Sequence, residues 1–410
     1  MKALHLSDWH LGRMTGPESR AGDHDAVLAE IIAIARDLGP DLICHSGDLF
    51  DRARPAAEDL DRAISALSEL AAIAPTAIVR GNHDSPALFR VFGRLGRLHG
   101  LYFIDEATLD PAAVIEVPTS RGGTIRLGAV PFQHPHHLVD GRGNPESWSS
   151  RYVQAIRALE TAVGSATLTG LDRNRDFAVF AAHLHVGGAS WSGSERRGRS
   201  DDTYASEADA IPAVTYAALG HIHRPQALPG SAAAFGRYAG APLQMDFGEA
   251  GEHKSVVYLE AEPHRPPRIE PIGLSAGRTL RSYRGSLEDL TKIASTFGGD
   301  ICRIIIDSDT HVPALTEHLE RLLPASRLIE VVNNAVDRTV RLVSADSVDL
   351  REEPDLPSMF AEYLARRTTR RAPAADVVEV FTMLAEAARD ERPATFPQED
   401  VLKEVTGCAH

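Results

Sequence analysis

Apolar positions along this chain switch repeatedly between the period of a strand and that of a helix. Lys2–Ser7 is a short apolar run ending in Asp8, and Ala26–Leu38 then aligns Val27, Ile31, Ile34 and Leu38 on one helical face. Asp41–Ser46 is a second strand candidate, ending in Gly47-Asp48. Leu60–Ile73 returns to helical spacing, and Thr76–Arg80 is a third strand, ending in Gly81-Asn82. Phe177–Ala182 ends in His183, and Tyr216–Leu219 ends in Gly220-His221. Strand–helix–strand alternation predicts a layered α/β fold. In open α/β sheets ligands bind beyond the carboxyl ends of the strands, which is where each polar cluster falls.

The pattern changes further along. Ser190–Pro212 is polar and reads as a long loop, and Glu262–Arg268 is a Pro-rich linker that predicts a domain boundary. A smaller α/β unit follows. Its expected helices are Ser286–Phe297 and Ala314–Leu323, and its strands are Ile301–Ile306, Arg327–Val332 and Thr339–Val343. Two amphipathic helices close the chain, one carrying Leu356, Met359, Phe360, Tyr363 and Leu364, the other Val377, Val380, Phe381, Leu384 and Ala388. The expected division is residues 1–265, 270–345 and 350–410. A chain of 410 residues is long for a single core, which agrees with two or three domains.

Composition narrows the function. Apolar residues make up 43%, enough for packed cores, and no apolar run approaches the roughly 20 residues that span a bilayer. The opening Met1–Asp8 is charged too soon for a secretory signal, so the cytoplasm is the expected compartment and no membrane is expected as partner. Cys44, Cys302 and Cys408 are scattered and odd in number, arguing against a disulfide framework or a zinc knuckle. A formal charge of −14 argues against binding nucleic acid by bulk attraction alone. Bound cations or a basic partner subunit would have to supply the missing positive charge.

Five clusters carry chemistry: Asp8-Trp9-His10, Gly47-Asp48-Leu49-Phe50-Asp51, Gly81-Asn82-His83-Asp84, His183-Leu184-His185 and Gly220-His221-Ile222-His223. Each alone is weak, but all five follow apolar strands in this order. Hydrolysing a phosphodiester near neutral pH needs a hydroxide nucleophile, stabilisation of transition-state charge and help for the leaving oxygen. Two divalent ions about 3.5–4 Å apart supply the first two. A mixed set of carboxylate, amide carbonyl and imidazole suits Mn²⁺, Fe²⁺ or Zn²⁺ better than Mg²⁺.

These clusters resemble those of the calcineurin-like metallophosphoesterase superfamily. Within it the sequence resembles the SbcD nuclease subunits of bacterial SbcCD repair complexes. The resemblance rests on Ser7–Arg13, His183–Ser190, Ala218–Arg224 and Tyr238–Leu243, and spans about residues 1–260. It implies a layered β-sandwich flanked by helices as the nuclease domain, a small α/β capping domain that binds DNA, and a helical tail that grips an ATPase partner. Asp8, His10 and His223 would then hold one metal, Asn82, His183 and His221 the other, and Asp48 would bridge them. His83 would stabilise the transition state or protonate the leaving oxygen, and the carboxylate of Asp51 would orient it and keep it cationic. The resemblance further implies two divalent ions, with Mn²⁺ expected, and DNA as substrate for exonuclease and endonuclease cleavage. It also implies an SbcC-like coiled-coil ATPase as partner, and a homodimer within a heterotetramer. The chain has no G-x-x-x-x-G-K-[ST] loop, so ATP use would belong to the partner.

Other residues read more plainly. His185 stands where the family often has a small polar residue and reads as a solvated loop histidine. His134, His136 and His137 are poorly spaced for a third metal. His5 and His45 read as core histidines. The runs Glu195–Arg199 and Arg366–Arg371 fit contact with DNA or a partner as well as solvated loops. Phe360, Tyr363 and Phe381 suit anchoring of the ATPase. Two other function classes compete: a phosphoesterase for small substrates, which leaves the cap and tail unexplained, and a scaffold for DNA ends with weak cleavage, which leaves seven competent ligand positions unexplained.

Overall fold

A computed structural model of the chain describes residues 1–138, 145–192, 205–230, 234–336, 356–367 and 375–389. The chain divides into two compact units, Met1–Arg338 and Thr339–His410. The first is built on two six-stranded sheets. In one, β1 (Lys2–Leu6), β4 (Leu42–His45), β5 (Thr76–Val79) and β6 (Leu101–Ile104) run parallel. Beside β1 lie the antiparallel β13 (Ser255–Glu260) and then β14 (Arg268–Gly273). In the other, β8 (Thr124–Val130), β9 (Phe177–His183), β10 (Tyr216–Gly220) and β12 (Gly236–Tyr238) run parallel. Its edges are the antiparallel β7 (Ile115–Pro118) and β11 (Gln226–Ala227).

Period-2 alternation sorts these strands into layers. Phe177, Val179 and Ala181 face the first sheet, where they join Ala3, Leu42, Cys44 and Val79 in the core between the sheets. Ala178, Phe180 and Ala182 face outward, under Tyr152, Ile156 and Val163 of helix α5 (Pro145–Leu168). Leu4, Leu6, Ile43 and Ile78 face the other way, under α1 (Ala21–Leu38), α2 (Ala57–Ala71) and α3 (Pro86–Gly96). The order of layers is therefore helix, sheet, sheet, helix, as a β-sandwich flanked by helices requires.

The strands expected in the sandwich recur within a residue or two, and Arg327–Val332 runs on to Ala335. Helix α1 starts five residues earlier than its apolar periodicity. Its first turn faces inward with polar groups instead: Arg20 and Asp23 are buried and paired at 2.7 Å. Helix α3 has no counterpart in the apolar pattern. Its signals are local: the Ser85 side chain accepts from Leu88 N–H at 3.4 Å, and Pro86 occupies the first turn. Glu262–Arg268 proves to be the turn between β13 and β14, so the chain stays in the first sheet to Gly273. The prolines there end one strand and start the next rather than free a linker.

A third sheet then follows, ordered β15 (Leu280–Gly285), β16 (Ile301–Ser308) and β17 (Arg327–Ala335), all parallel. With α6 (Leu287–Ile293) and α7 (Leu315–Leu322) it encloses its own core of Leu290, Ile304, Ile306 and Leu319. Ion pairs tie it to the sandwich. Arg278 reaches Asp23 at 2.9 Å and Glu18 at 2.8 Å, and Arg327 reaches Glu18 at 2.8 Å. Glu18 belongs to a small hairpin of β2 (Met14–Thr15) and β3 (Glu18–Ser19). The expected strand Thr339–Val343 lies outside the described residues, as do Glu195–Arg199 and residues 368–371.

The tail unit contains α8 (Leu356–Arg367) and α9 (Ala375–Arg389). Phe360 and Phe381 stack on one another, with ring centroids 4.0 Å apart, and are thereby taken up inside the helical pair. Leu356, Met359, Val377, Val380 and Leu384 are left exposed on the same two helices. The side chain of Tyr363 lies outside the described residues. Among the described residues, no helix is long and apolar enough to cross a membrane.

Candidate metal centre

All seven expected ligands meet at the carboxyl edge of the sandwich. Asp8 and His10 follow β1, Asp48 follows β4, and Asn82 follows β5. His183 ends β9, and His221 and His223 follow β10. Asn82 and His221 are half-buried and the other five are buried, Asp8 and His183 completely. The backbone there is unusual. Asp8, His10, Asp48 and His221 have φ of 51°, 48°, 54° and 97°, in the left-handed region that costs a side chain about 1–3 kcal/mol. Gly47 has φ 113°, and a Cβ there would run into the His183 ring.

Two donor sets can be distinguished. In the first, His10 Nε2 and His223 Nε2 lie 3.0 Å apart, and Asp8 completes a cluster with them. In the second, Asn82 Oδ1 is 2.9 Å from both His183 Nε2 and His221 Nδ1. Between them stands Asp48, whose Oδ2 is 3.4 Å from His10 Nε2 and 3.5 Å from His183 Nε2.

The far sides of the rings fix their tautomers. His183 Nδ1 donates to the Ser46 carbonyl at 2.9 Å, and His223 Nδ1 faces the buried Glu249 carboxylate at 3.2 Å. His10 Nδ1 faces the Asp51 carboxylate at 3.6 Å. With protons held on Nδ1 of His183 and His223, Nε2 is the atom of each of those rings left to face the centre. Imidazole, carboxylate and amide oxygen converging within hydrogen-bond distance are donor chemistry that fits a divalent cation in each set. Burial pushes the Asp8 carboxyl up to about 6, against the pull of His183 and His223. Burial would also raise Asp48, but His183, His10 and His83 hold it well below the usual carboxylate range. His183 is pushed up to about 9, since Asp48 and Asp8 outweigh its burial.

The structure corrects one expectation here. His83 Nδ1 donates to the main-chain carbonyl of Asp51 at 2.7 Å, not to its carboxylate. The carboxylate instead takes Arg13 Nη1 at 3.1 Å and borders His10. Asp51 thus orients His83 through a neutral main-chain acceptor. The His83 main-chain N–H donates to Asp48 Oδ1 at 2.8 Å, so the ring is positioned by the same carboxylate that lies between the donor sets.

Three residues take on roles that no sequence pattern signalled. Buried Asp84 accepts from the N–H groups of Gly81, Leu49 and Phe50 at 2.9, 3.2 and 3.0 Å, joining two of the loops. Glu249, fully buried, serves His223 and takes Lys254 Nζ at 2.6 Å and Met245 N–H at 3.0 Å. The turn that bears Glu249 also touches the third sheet: Gln244 Oε1 accepts from Leu280 N–H at 2.6 Å, and Arg303 lies over the Phe247 ring at 4.7 Å. Ser46 is the third. Its hydroxyl meets His5 Nε2 at 2.8 Å, while His5 Nδ1 meets Tyr216 OH at 3.0 Å, which makes His5 a satisfied core histidine as expected.

The remaining histidines sort differently. His185 is buried, with its ring 4.5 Å from Trp191, which overturns the solvated reading; the indole covers it from solvent. His45 is buried edge-on against Trp9. His134, His136 and His137, the last two on the short helix α4 (Pro135–Leu138), are exposed and stacked on one another. They belong to none of the potential metal-holding groups among the described residues.

Comparison with known proteins agrees with this geometry. Residues 1–225 match the family model described as calcineurin-like phosphoesterase. The chain is 31% identical over 290 residues to the SbcD component of nuclease SbcCD from Bacillus subtilis, covering 70% of this chain and 73% of that one. It is 30% identical over 287 residues to the corresponding SbcD protein of Rhodobacter capsulatus, covering 66% and 69%, and 27% identical over 308 residues to that of Escherichia coli K12, covering 71% and 72%. By that family model and those relatives the chain is a phosphodiester hydrolase and belongs to the SbcD family of calcineurin-like phosphoesterases.

Proposed function

We propose that this chain is the metal-dependent DNA nuclease subunit of an SbcCD-type repair complex. The observation that carries the reading is the position of Asp48 Oδ2, within 3.5 Å of a histidine from each donor set. Asp8, His10 and His223 would hold one ion and Asn82, His183 and His221 the other, with Asp48 shared and Mn²⁺ the preferred metal. When bound, the ion pair supplies an activated water and charge stabilisation for in-line displacement at phosphorus. The chain's own contribution is positional. Ser46 and Glu249 hold the His183 and His223 imidazoles in one tautomer, and the Asp51 carbonyl aims His83 toward the space bordered by Asp48. With Nδ1 committed to that carbonyl, Nε2 of His83 is the atom that would exchange a proton with the leaving oxygen.

The partners follow from charge and exposed apolar surface. A net charge of −14 calls for a basic partner to bring duplex DNA to the centre. The exposed face of α9, with Val377, Val380 and Leu384, supports docking of a coiled-coil ATPase. On α3, Val91 and Leu95 are 50% and 64% exposed and would pair with a second copy.

The purified protein should hydrolyse bis-p-nitrophenyl phosphate with Mn²⁺ and much less with Mg²⁺; full activity after EDTA treatment in metal-free buffer contradicts a metal mechanism. Asp48→Asn should lose both ions and activity. His83→Ala should keep its metal, by elemental analysis, yet turn over roughly 100-fold or more slowly. Asp51→Ala should cost far less than His83→Ala, since the carbonyl remains; equal losses would return the orienting role to the carboxylate. Leu95→Asp should shift the sedimenting species from dimer to monomer, and an unchanged dimer places the self-interface elsewhere.

Cleavage of linear duplex DNA should be slow for the chain alone, rise strongly with the ATPase partner and ATP, and fall steeply with salt. Val380→Asp should abolish this stimulation while leaving diester hydrolysis near wild type. A wild-type protein that ignores the ATPase and prefers nucleoside monophosphates to any DNA would establish the small-substrate reading instead.

A further inference from the structure

The polar floor of the centre has two aromatic walls that the hydrolytic roles above leave unused. Phe132 lies 6.2 Å from the His221 ring, tilted by 28°, and 6.3 Å from His183. Trp191 stands 5.7 Å from the same His221 ring at 78° and packs on His185. Both side chains are half-buried, so each keeps part of its π surface open beside the candidate ligands.

Neither wall is loosely held. Phe132 N–H donates to the Arg80 carbonyl at 2.9 Å, and Arg80 Nη2 donates to the Phe132 carbonyl at 2.8 Å. That reciprocal clamp fastens Phe132 to the residue two positions before Asn82. Ser190, next to Trp191, is held the same way. Its N–H donates to Gln226 Oε1 at 2.9 Å, and Gln226 Nε2 donates to its carbonyl at 2.8 Å, three residues after His223. The backbone that bears each ring is therefore tied to a segment that carries metal donors.

A phosphate group gains nothing from an apolar wall, because its charge calls for donors and cations. A flat ring one nucleotide away gains a stacking surface that accepts every base, since every base has a π face. We infer that Phe132 and Trp191 form a base-stacking wall that holds a nucleobase flanking the scissile phosphate. The inference rests on the nuclease reading and adds to it a subsite for the base. Recognition of this kind is indifferent to sequence and selects for strands whose bases are free to leave the duplex stack, such as frayed ends and unpaired segments.

The test compares two single strands of equal length, one with all its bases and one made wholly of abasic tetrahydrofuran nucleotides. Both are given to the full-length, Mn²⁺-loaded wild type, Phe132→Ala, Trp191→Ala and Trp191→Phe, with metal content measured on the same samples. The wild type should prefer the base-bearing strand in kcat/KM. Each alanine variant should lower that preference about tenfold, the scale of one base–aromatic stack, and mainly through KM. Trp191→Phe should recover most of it. A preference that survives in both alanine variants, or a wild type without one, overturns the wall and leaves the nuclease reading intact. Alanine variants that lose their metal also overturn it, since the rings would then serve only to pack the imidazoles. A wild type that cuts neither strand overturns the nuclease reading itself, and the wall falls with it.

Discussion

Parallel pairing within each sheet is the constraint on which the centre depends. β1, β4 and β5 run in one direction, as do β8, β9 and β10, so their carboxyl ends emerge along one edge of the sandwich. Polar residues placed immediately after apolar strands are thereby gathered from positions some 200 residues apart, as Asp8 and His221 are. The spacing between the sheets sets the size of the centre. His5 of one sheet reaches Tyr216 of the other and Ser46, and the carbonyl of that same Ser46 holds His183. A packing dimension of the core is in this way also a dimension of the metal site.

Local strain is the complement of that convergence. Four candidate ligands adopt left-handed backbone, a conformation that glycine tolerates and branched or bulky side chains resist. The strain persists because the loops are over-determined by buried hydrogen bonds. Asp8 N–H reaches the Gly47 carbonyl at 2.9 Å, His10 N–H reaches the Asp48 carbonyl at 3.1 Å, and Asp84 closes three more donors. At Gly81 a Cβ would fall on the main chain of Asp48, so close approach of the loops itself demands glycine there.

How much of this was legible in the sequence follows from how local each cause is. The five strand-end clusters could be read directly, because strand periodicity and the residues just beyond it lie within a few positions of each other. Family resemblance then grouped Asp8 with His10 and His223, and Asn82 with His183 and His221. The supporting contacts were not legible. Glu249 meets His223 across 26 residues, and neither periodicity nor spacing marks it. Asp51 was placed near His83 correctly, but a sequence cannot say whether a residue acts through its side chain or its carbonyl. The start of α1 was missed because a buried Arg–Asp pair replaces the apolar signal, and the boundary at Glu262–Arg268 because prolines serve a tight turn as well as a linker.

The turn from Gln244 to Lys254 gives the two donor sets unequal mechanical surroundings. On one side it holds His223 through Glu249; on the other it meets the third sheet at Leu280 and Arg303. His183 and His221 are braced by the sandwich, through Ser46 and Asp8. A load applied to the third sheet therefore reaches one imidazole of the first set before it reaches any of the second. The centre is chemically near-symmetric but unevenly supported: one imidazole of the first set rests on a turn that the third sheet also touches, and the second set rests on the sandwich.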